Sequence, residues 1–271
     1  MLRIDCAMVE KILVAFIRDC VRKNGFRNAI VGVSGGLDSA VVLALCRKAL
    51  GAAHTFALLL PYRASAPDSL RHGKLACKKF KVAFEVIDIS PSVDAYFKRH
   101  PAAARLQIGN KCARERMSVL YDFSVRRQAL VAGTSNKSEL LIGYSTQFGD
   151  SAAAFQPLGD LYKTQVIELG RHLGVPEEIV AKSPSADLWP GQTDEGEIGI
   201  AYKDLDVLLH LMVDMRWDEG EIIEYGFKLP LIRRVRKMIV ASQFKRTMPP
   251  IAKLHARTIG IDFRYLRDWN K

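Results

Sequence analysis

Two apolar runs parted by six residues, five of them small or polar, constrain this chain more than any other feature. Ala29-Ile-Val-Gly-Val33 is short and rich in β-branched residues, which is strand composition. Ala40 to Leu50 has the composition of a buried helix. Between them, Ser34-Gly-Gly-Leu-Asp-Ser39 must end a strand and begin a helix. Its two glycines allow backbone angles and close approaches that a side chain blocks. Ser39 stands where a helix N-cap or first-turn residue belongs. Such a loop gathers backbone N–H groups at the positive end of a helix and makes an anion site. A mere packing turn would need no acid inside it, so Asp38 points to a metal ion accompanying a polyphosphate.

The 271 residues suffice for a large core, and the chain reads as one α/β domain over 1–271. No apolar run approaches the ~18 residues needed to span a bilayer. The first residues lack both the apolar stretch and the small-residue cleavage site of a signal peptide. Cysteines 6, 20, 46, 77 and 112 form no Cys-x-x-Cys pair. Reduced thiols in a cytoplasmic protein fit this pattern better than disulfides or a zinc site. A net charge of +11 suits anionic partners, whether nucleic acid, membrane or phosphate-rich small molecules. A solvated basic face explains the clusters at 98–116 and 233–237 equally well.

Apolar periodicity predicts a helix over 5–23, with Val9, Ile12, Leu13, Phe16, Ile17 and Cys20 as its stripe. Strands follow at 29–33, 54–60, 84–89 and 129–132, separated by helices after Ser39, over 67–80 and over 109–128. That alternation implies a doubly wound parallel sheet flanked by helices, a Rossmann-like α/β fold. Ligands in such sheets bind beyond the carboxyl ends of the strands, where strand order reverses. The Ser34 loop and the Gly133-Thr134 loop both lie at carboxyl ends, so one site shared between them is expected. After residue 150 the strand signal fades. Helices are expected at 162–173, 204–213, 219–226 and 231–243. The reading is an ATP-binding core over about 25–165 and a helical C-terminal part over about 166–271.

The loop Ser34–Ser39 resembles the phosphate loop of the ATP pyrophosphatase superfamily, whose fold is of the adenine nucleotide alpha hydrolase type. No Walker A pattern is present. Enzymes with this loop cleave ATP between the α and β phosphates and activate an oxygen as its AMP ester. Further stretches narrow the resemblance. They are the segment from Asn110-Lys-Cys-Ala-Arg-Glu-Arg-Met to Tyr121 and Val131-Ala-Gly-Thr-Ser-Asn-Lys-Ser-Glu139 through Asp150. Pro157-Leu-Gly-Asp-Leu-Tyr-Lys163 and Lys182-Ser-Pro-Ser185 through Glu195 continue the series. From about residue 9 to about 250 these resemble ammonia-dependent NAD synthetases. The arrangement Gly149-Asp-Ser-Ala-Ala-Ala-Phe-Gln-Pro157 resembles the ε-proteobacterial form.

The resemblance implies roles residue by residue. Gly32, Val33, Ser34, Gly35, Gly36, Leu37, Asp38 and Ser39 would cradle the ATP phosphates. Thr134, Lys163 and Ser185 would also contact ATP. Asp38 and Glu139 would hold Mg²⁺, and Asp38 and Lys163 would serve catalysis. Arg114 would contact deamido-NAD. A solvated lysine in a first helical turn would sit badly against the helix dipole, which favours a ligand role for Lys163. Gln147, Ala154 and the stretch Phe244-Lys-Arg246 depart from the family pattern on the dinucleotide side.

The implied activity is amidation of deamido-NAD with ammonia, consuming ATP and releasing AMP and diphosphate through an acyl-adenylate, as the last step of NAD biosynthesis. Only 28 residues precede the first strand, too few for a glutamine amidase domain. Free ammonia or a separate ammonia source is therefore expected. The resemblance also implies a homodimer, with neither a specific nucleic-acid partner nor a membrane. The alternative within the superfamily is a tRNA-modifying enzyme, which usually carries paired cysteines or an RNA-binding module. A non-catalytic ATP sensor is a further alternative, but it would not need two metal carboxylates.

Overall fold

Ile30 packs to one side of strand β1 (Asn28–Gly32), while Ala29 and Val31 pack to the other, and all three are fully buried. A strand apolar on both faces must lie inside a sheet covered on both sides. The computed structural model, which describes residues 2–185 and 192–262, shows that sheet. Strands β2 (Thr55–Leu59), β3 (Ala83–Val86) and β4 (Ala129–Ala132) join β1 in the order β3-β2-β1-β4, every pairing parallel. Chain order reverses between β1 and β4, as the doubly wound reading requires.

One face carries α1 (Cys6–Lys23), α2 (Leu37–Leu50), α3 (Pro67–Phe80) and α7 (Lys163–His172). Helix α2 is apolar all round and is buried between the sheet and its neighbours. Leu43 on this helix is fully buried, and its truncation to Ala is expected to cost about 2–5 kcal/mol. The other face carries α4 (Ser90–Phe97) and the long α5 (Arg105–Arg126), packed on Ile30, Leu58 and Val131. A second cluster lies among α6 (Lys137–Ile142), α10 (Tyr202–Leu209), α11 (Glu219–Tyr225) and α12 (Leu229–Ala241). Short helices α8 (Glu177–Val180) and α9 (Asp194–Ile198) fall between α7 and α10 in the chain, α8 packing with the α7 side of the sheet and α9 with the second cluster.

The expected elements are present, with shifts that have physical causes. Helix α5 begins four residues earlier than its periodicity suggested, because Gln107 accepts from the Ala104 N–H and closes the first turn. The stretch expected as one helix over 204–213 is α10 followed by a π-helical turn, His210–Asp214. The stripe on α1 is only partly covered: Ile17 and Cys20 are buried, but Ile12 and Phe16 are 57% and 38% exposed. Beyond β4 the sheet gains one parallel bridge, Ala132 to Phe155, in a region where the sequence showed no strand. No described helix is long and apolar enough to cross a membrane. All five cysteines are free, and burial pushes the Cys46 and Cys77 thiols up to about 12.

Candidate active site

Strand β1 ends at Gly32 and α2 begins at Leu37, so four residues make the turn. Gly35 takes φ +84°, and a Cβ there would lie 2.0 Å from the Ser69 carbonyl oxygen of α3. Only glycine meets both demands. The Ser39 hydroxyl donates to the Gly36 carbonyl at 3.0 Å and accepts from the Ser34 N–H at 3.2 Å. Ser34 Oγ in turn accepts from the Gly36 N–H at 3.2 Å. The N-cap is Gly36, which offers no side chain to the first turn of α2. The helix therefore presents N–H donors at its positive end.

That end opens into a cavity of about 760 Å³ at the β1/β4 reversal. Gly32, Val33, Ser34, Gly36, Leu37, Asp38 and Ser39 form one wall, and Thr134, Glu139, Lys163 and Ser185 line it as well. Gly35 faces α3 instead. Part of the segment Lys182 to Glu195, which carried the family resemblance, lies outside the described residues, namely 186–191.

Three charged groups meet on this wall. Lys163 Nζ forms an ion pair with Asp38 and lies 3.6 Å from Glu139 Oε1. Lys163 is 4% exposed although it opens a helix. Burial would lower its pKa, but the charges of Asp38 and Glu139 outweigh burial and hold it above the ordinary lysine range. Burial first, and the Asp38 charge second, push the Glu139 carboxyl up to about 8, while Lys163 opposes them. Two carboxylates thus compete for one ammonium, a donor set that accepts a further cation.

The loop after β4 sets these carboxylates. Asn136 caps α6 by accepting from the Glu139 N–H at 3.0 Å. Its amide also donates to Asp38 Oδ1 at 2.9 Å, joining the two loops. Asn136 was not among the expected site residues, although Asn followed three places later by Glu is a capping signature legible in the sequence. The Gln156 amide fills the space beside Gly133, 2.2 Å from where a Cβ would stand, so a side chain there would have to displace it.

The structure does not bring Arg114 to the cavity wall. It is exposed, and its Nε donates to the Gln147 carbonyl at 3.3 Å. Arg116, two places on, faces the cavity and donates to the Leu60 carbonyl at 3.0 Å and to Ser65 Oγ at 3.3 Å. Residues two apart on a helix face different ways; the resemblance singled out Arg114, and Arg116 was not among the expected site residues. Lys245 also lines the cavity and donates at 2.7 Å to the carbonyls of both Gly143 and Ser145.

Residues 9–249 match the family model described as NAD synthase. The chain belongs to the NAD synthase family. An NH(3)-dependent NAD(+) synthetase of Chlorobium phaeobacteroides is 52% identical over 270 residues, covering 100% of this chain and 98% of that one. The NH3-dependent NAD synthetase of Campylobacter jejuni overlays with a TM-score of 0.79 at 31% identity, covering 93% of this chain and 100% of that one. The NMN synthetase of Francisella tularensis overlays at 0.82 and 30% identity, with 92% and 99% covered. The expected nearness to the ε-proteobacterial form is thereby corrected, because the Chlorobium chain shares far more of its residues than the Campylobacter one. The short motif around Gly149–Pro157 is too small a sample to rank relatives.

Proposed function

We propose that this family member is an ammonia-dependent NAD synthetase. It amidates deamido-NAD to NAD at the expense of ATP, as the last step of NAD biosynthesis. The observation that carries the reading is the Asp38–Lys163–Glu139 group set beside the exposed N–H donors of α2. In the first half-reaction a nicotinate carboxylate oxygen bonds to the α-phosphorus of ATP. The bond from that phosphorus to the bridging oxygen breaks, and diphosphate leaves with the negative charge. In the second, ammonia attacks the acyl carbon, the bond to AMP breaks, and the nitrogen sheds a proton.

Negative charge gathers on diphosphate in the first step. Lys163 and the loop N–H groups are placed to meet it without reorganising. The phosphate cradle is Gly32 to Ser39, with Thr134 and Ser185 as further ATP contacts. Asp38 and Glu139 would hold Mg²⁺, which commonly takes one or two carboxylates together with substrate phosphates. Bound there, the metal would neutralise phosphate charge. Arg114 is kept as a deamido-NAD contact, reaching the substrate from outside the cavity wall. We further propose a homodimer in the cytoplasm, an ammonia supply from solution or from a separate protein, and a single functional unit over 1–271 with its ATP core at about 25–165.

The likeness to an NMN synthetase, at a slightly higher TM-score, favours one second reading: a mononucleotide bearing the same carboxylate as the preferred acceptor. The test incubates the purified chain with ATP, ammonium and either acceptor. NAD, AMP and diphosphate should appear in equal amounts with deamido-NAD, and glutamine should not replace ammonium. A higher kcat/KM for the mononucleotide would select the second reading. AMP release that depends on tRNA would overturn both.

A further inference from the structure

Helix α10 buries Tyr202, Leu205, Leu208 and Leu209 on one face, and Asp206 lies among them with no exposure at all. A carboxylate is not left in such a place without partners. Asp206 Oδ1 accepts from the Ser138 hydroxyl at 2.5 Å, and Oδ2 accepts from the Thr164 N–H at 2.8 Å. The same Ser138 oxygen accepts from the Lys163 N–H at 3.0 Å. Tyr162, the N-cap of α7, offers no side chain to that helix. Asp206 therefore satisfies two of the orphan N–H groups at the start of α7, one directly and one through Ser138.

These two groups stand next to the reacting charges. Ser138 precedes Glu139 on α6, and Thr164 follows Lys163 on α7. We propose that Asp206 is a positioning residue: it locks the first turns of α6 and α7 to one another and so fixes Lys163 against Asp38 and Glu139. This inference rests on the function proposed above. Asp206 does not line the cavity; its hydrogen bonds go to Ser138 and to the α7 backbone, and its effect passes through them. A buried anion at the positive end of α7 also offsets the misfit of placing Lys163 at that end.

The geometry gives the expected result. Loss of the clamp frees the first turn of α7, and a misplacement of about 1 Å in a catalytic group can cost about 100-fold in rate. Asp206→Ala and Ser138→Ala should each speed amide exchange of Lys163 and Thr164 while leaving the rest of α7 protected. Both should lower kcat about ten-fold or more per folded molecule, with KM for ATP changed less than about three-fold, since the phosphate loop is untouched. Asp206→Asn should fall between wild type and Asp206→Ala in both readouts. Its amide oxygen accepts from Thr164 and its amide N–H meets Ser138 Oγ, which keeps a lone pair for Lys163, but the buried Ser138 hydroxyl loses the acceptor of its own proton. Double-variant effects should fall short of the product of the single ones. Should Asp206→Ala not fold, Ser138→Ala decides alone. Unchanged exchange at the start of α7 overturns the inference, as does faster exchange with unaltered kcat. A wild-type chain that makes no NAD would refute the proposed function instead, and the exchange measurement would still decide whether Asp206 holds α7.

Discussion

Lys163→Met removes the ammonium and keeps most of the side-chain volume, leaving Asp38 and Glu139 facing each other. With Glu139 ionised, which its raised pKa delays to above about pH 8, unit charges 3.6 Å apart attract by about 4.6 kcal/mol at an effective dielectric of about 20. Withdrawing the lysine from water offsets much of that attraction, so the gross figure is an upper bound. Breaking one side of a buried pair costs about 3–5 kcal/mol. Asp38 and Glu139 keep 15% and 17% side-chain exposure, and water there screens their repulsion. We therefore expect a loss of about 2–3 kcal/mol, or roughly 4–6 °C in Tm for a chain of this size. The deficit must also depend on pH. In the wild type Lys163 opposes the rise of the Glu139 pKa, which still reaches about 8. Without Lys163 the carboxyl holds its proton to higher pH, so the folded variant binds more protons than the folded wild type above about 8. Its stability relative to wild type must then fall as pH rises through that region. Urea unfolding of both ligand-free chains from pH 6 to 9 measures this, and kcat should drop by about 100- to 1,000-fold. Equal stability at pH 9, or a deficit that shrinks with rising pH, would falsify the ion-pair account of this site.

Glu139→Gln should remove a pH slope that the ligand-free wild type shows: with its folded pKa raised from 4.5 to about 8, Glu139 makes stability fall as pH rises across that window. Denaturant midpoints at pH 5 and pH 8 check it, and equal slopes in the two chains would remove Glu139 as the cause. Gly35→Ala should cost at least about 1–2 kcal/mol from its left-handed backbone alone, before the contact with Ser69, and should raise KM for ATP. A wild-type melting curve for that variant would show that the loop need not abut α3. Arg116→Ala should reduce turnover because it frees the Leu60 and Ser65 side of the cavity, whereas Arg114→Ala should raise KM for deamido-NAD more than that for ATP. Neutralising Arg233, Arg236 and Lys237 should leave both constants nearly unchanged, because Arg233 and Arg236 pair with Glu219 on α11. Steady-state kinetics on each variant separate these outcomes.

Strand–turn–helix at 29–50 was legible in the sequence because each part of it is local. A β-branched run, two glycines and an apolar helix leave few other solutions. Alternation of strands and helices implied the parallel sheet, and the sheet placed the Ser34 and Gly133 loops at the same end. The motifs named Asp38, Glu139 and Lys163, and these do converge on one cavity wall. Local pattern could not tell which of Arg114 and Arg116 faces the cavity, because that depends on how α5 is rotated against the sheet. Nor could it show that Ile12 and Phe16 would remain exposed on α1. Asp206 carried one faint signal, an acid inside an apolar helical stripe, which marks a buried charge without naming its partners. Those partners lie 68 and 42 positions away, on helices brought together only when the C-terminal helices pack against the sheet domain. Short-range chemistry is written in neighbouring residues, whereas the partners of a buried charge are chosen by packing between distant ones. The sequence by itself determined the strand–turn–helix loop, the sheet and which side chains to look for at the ends of its strands. Only the tertiary structure decided what holds those side chains in place.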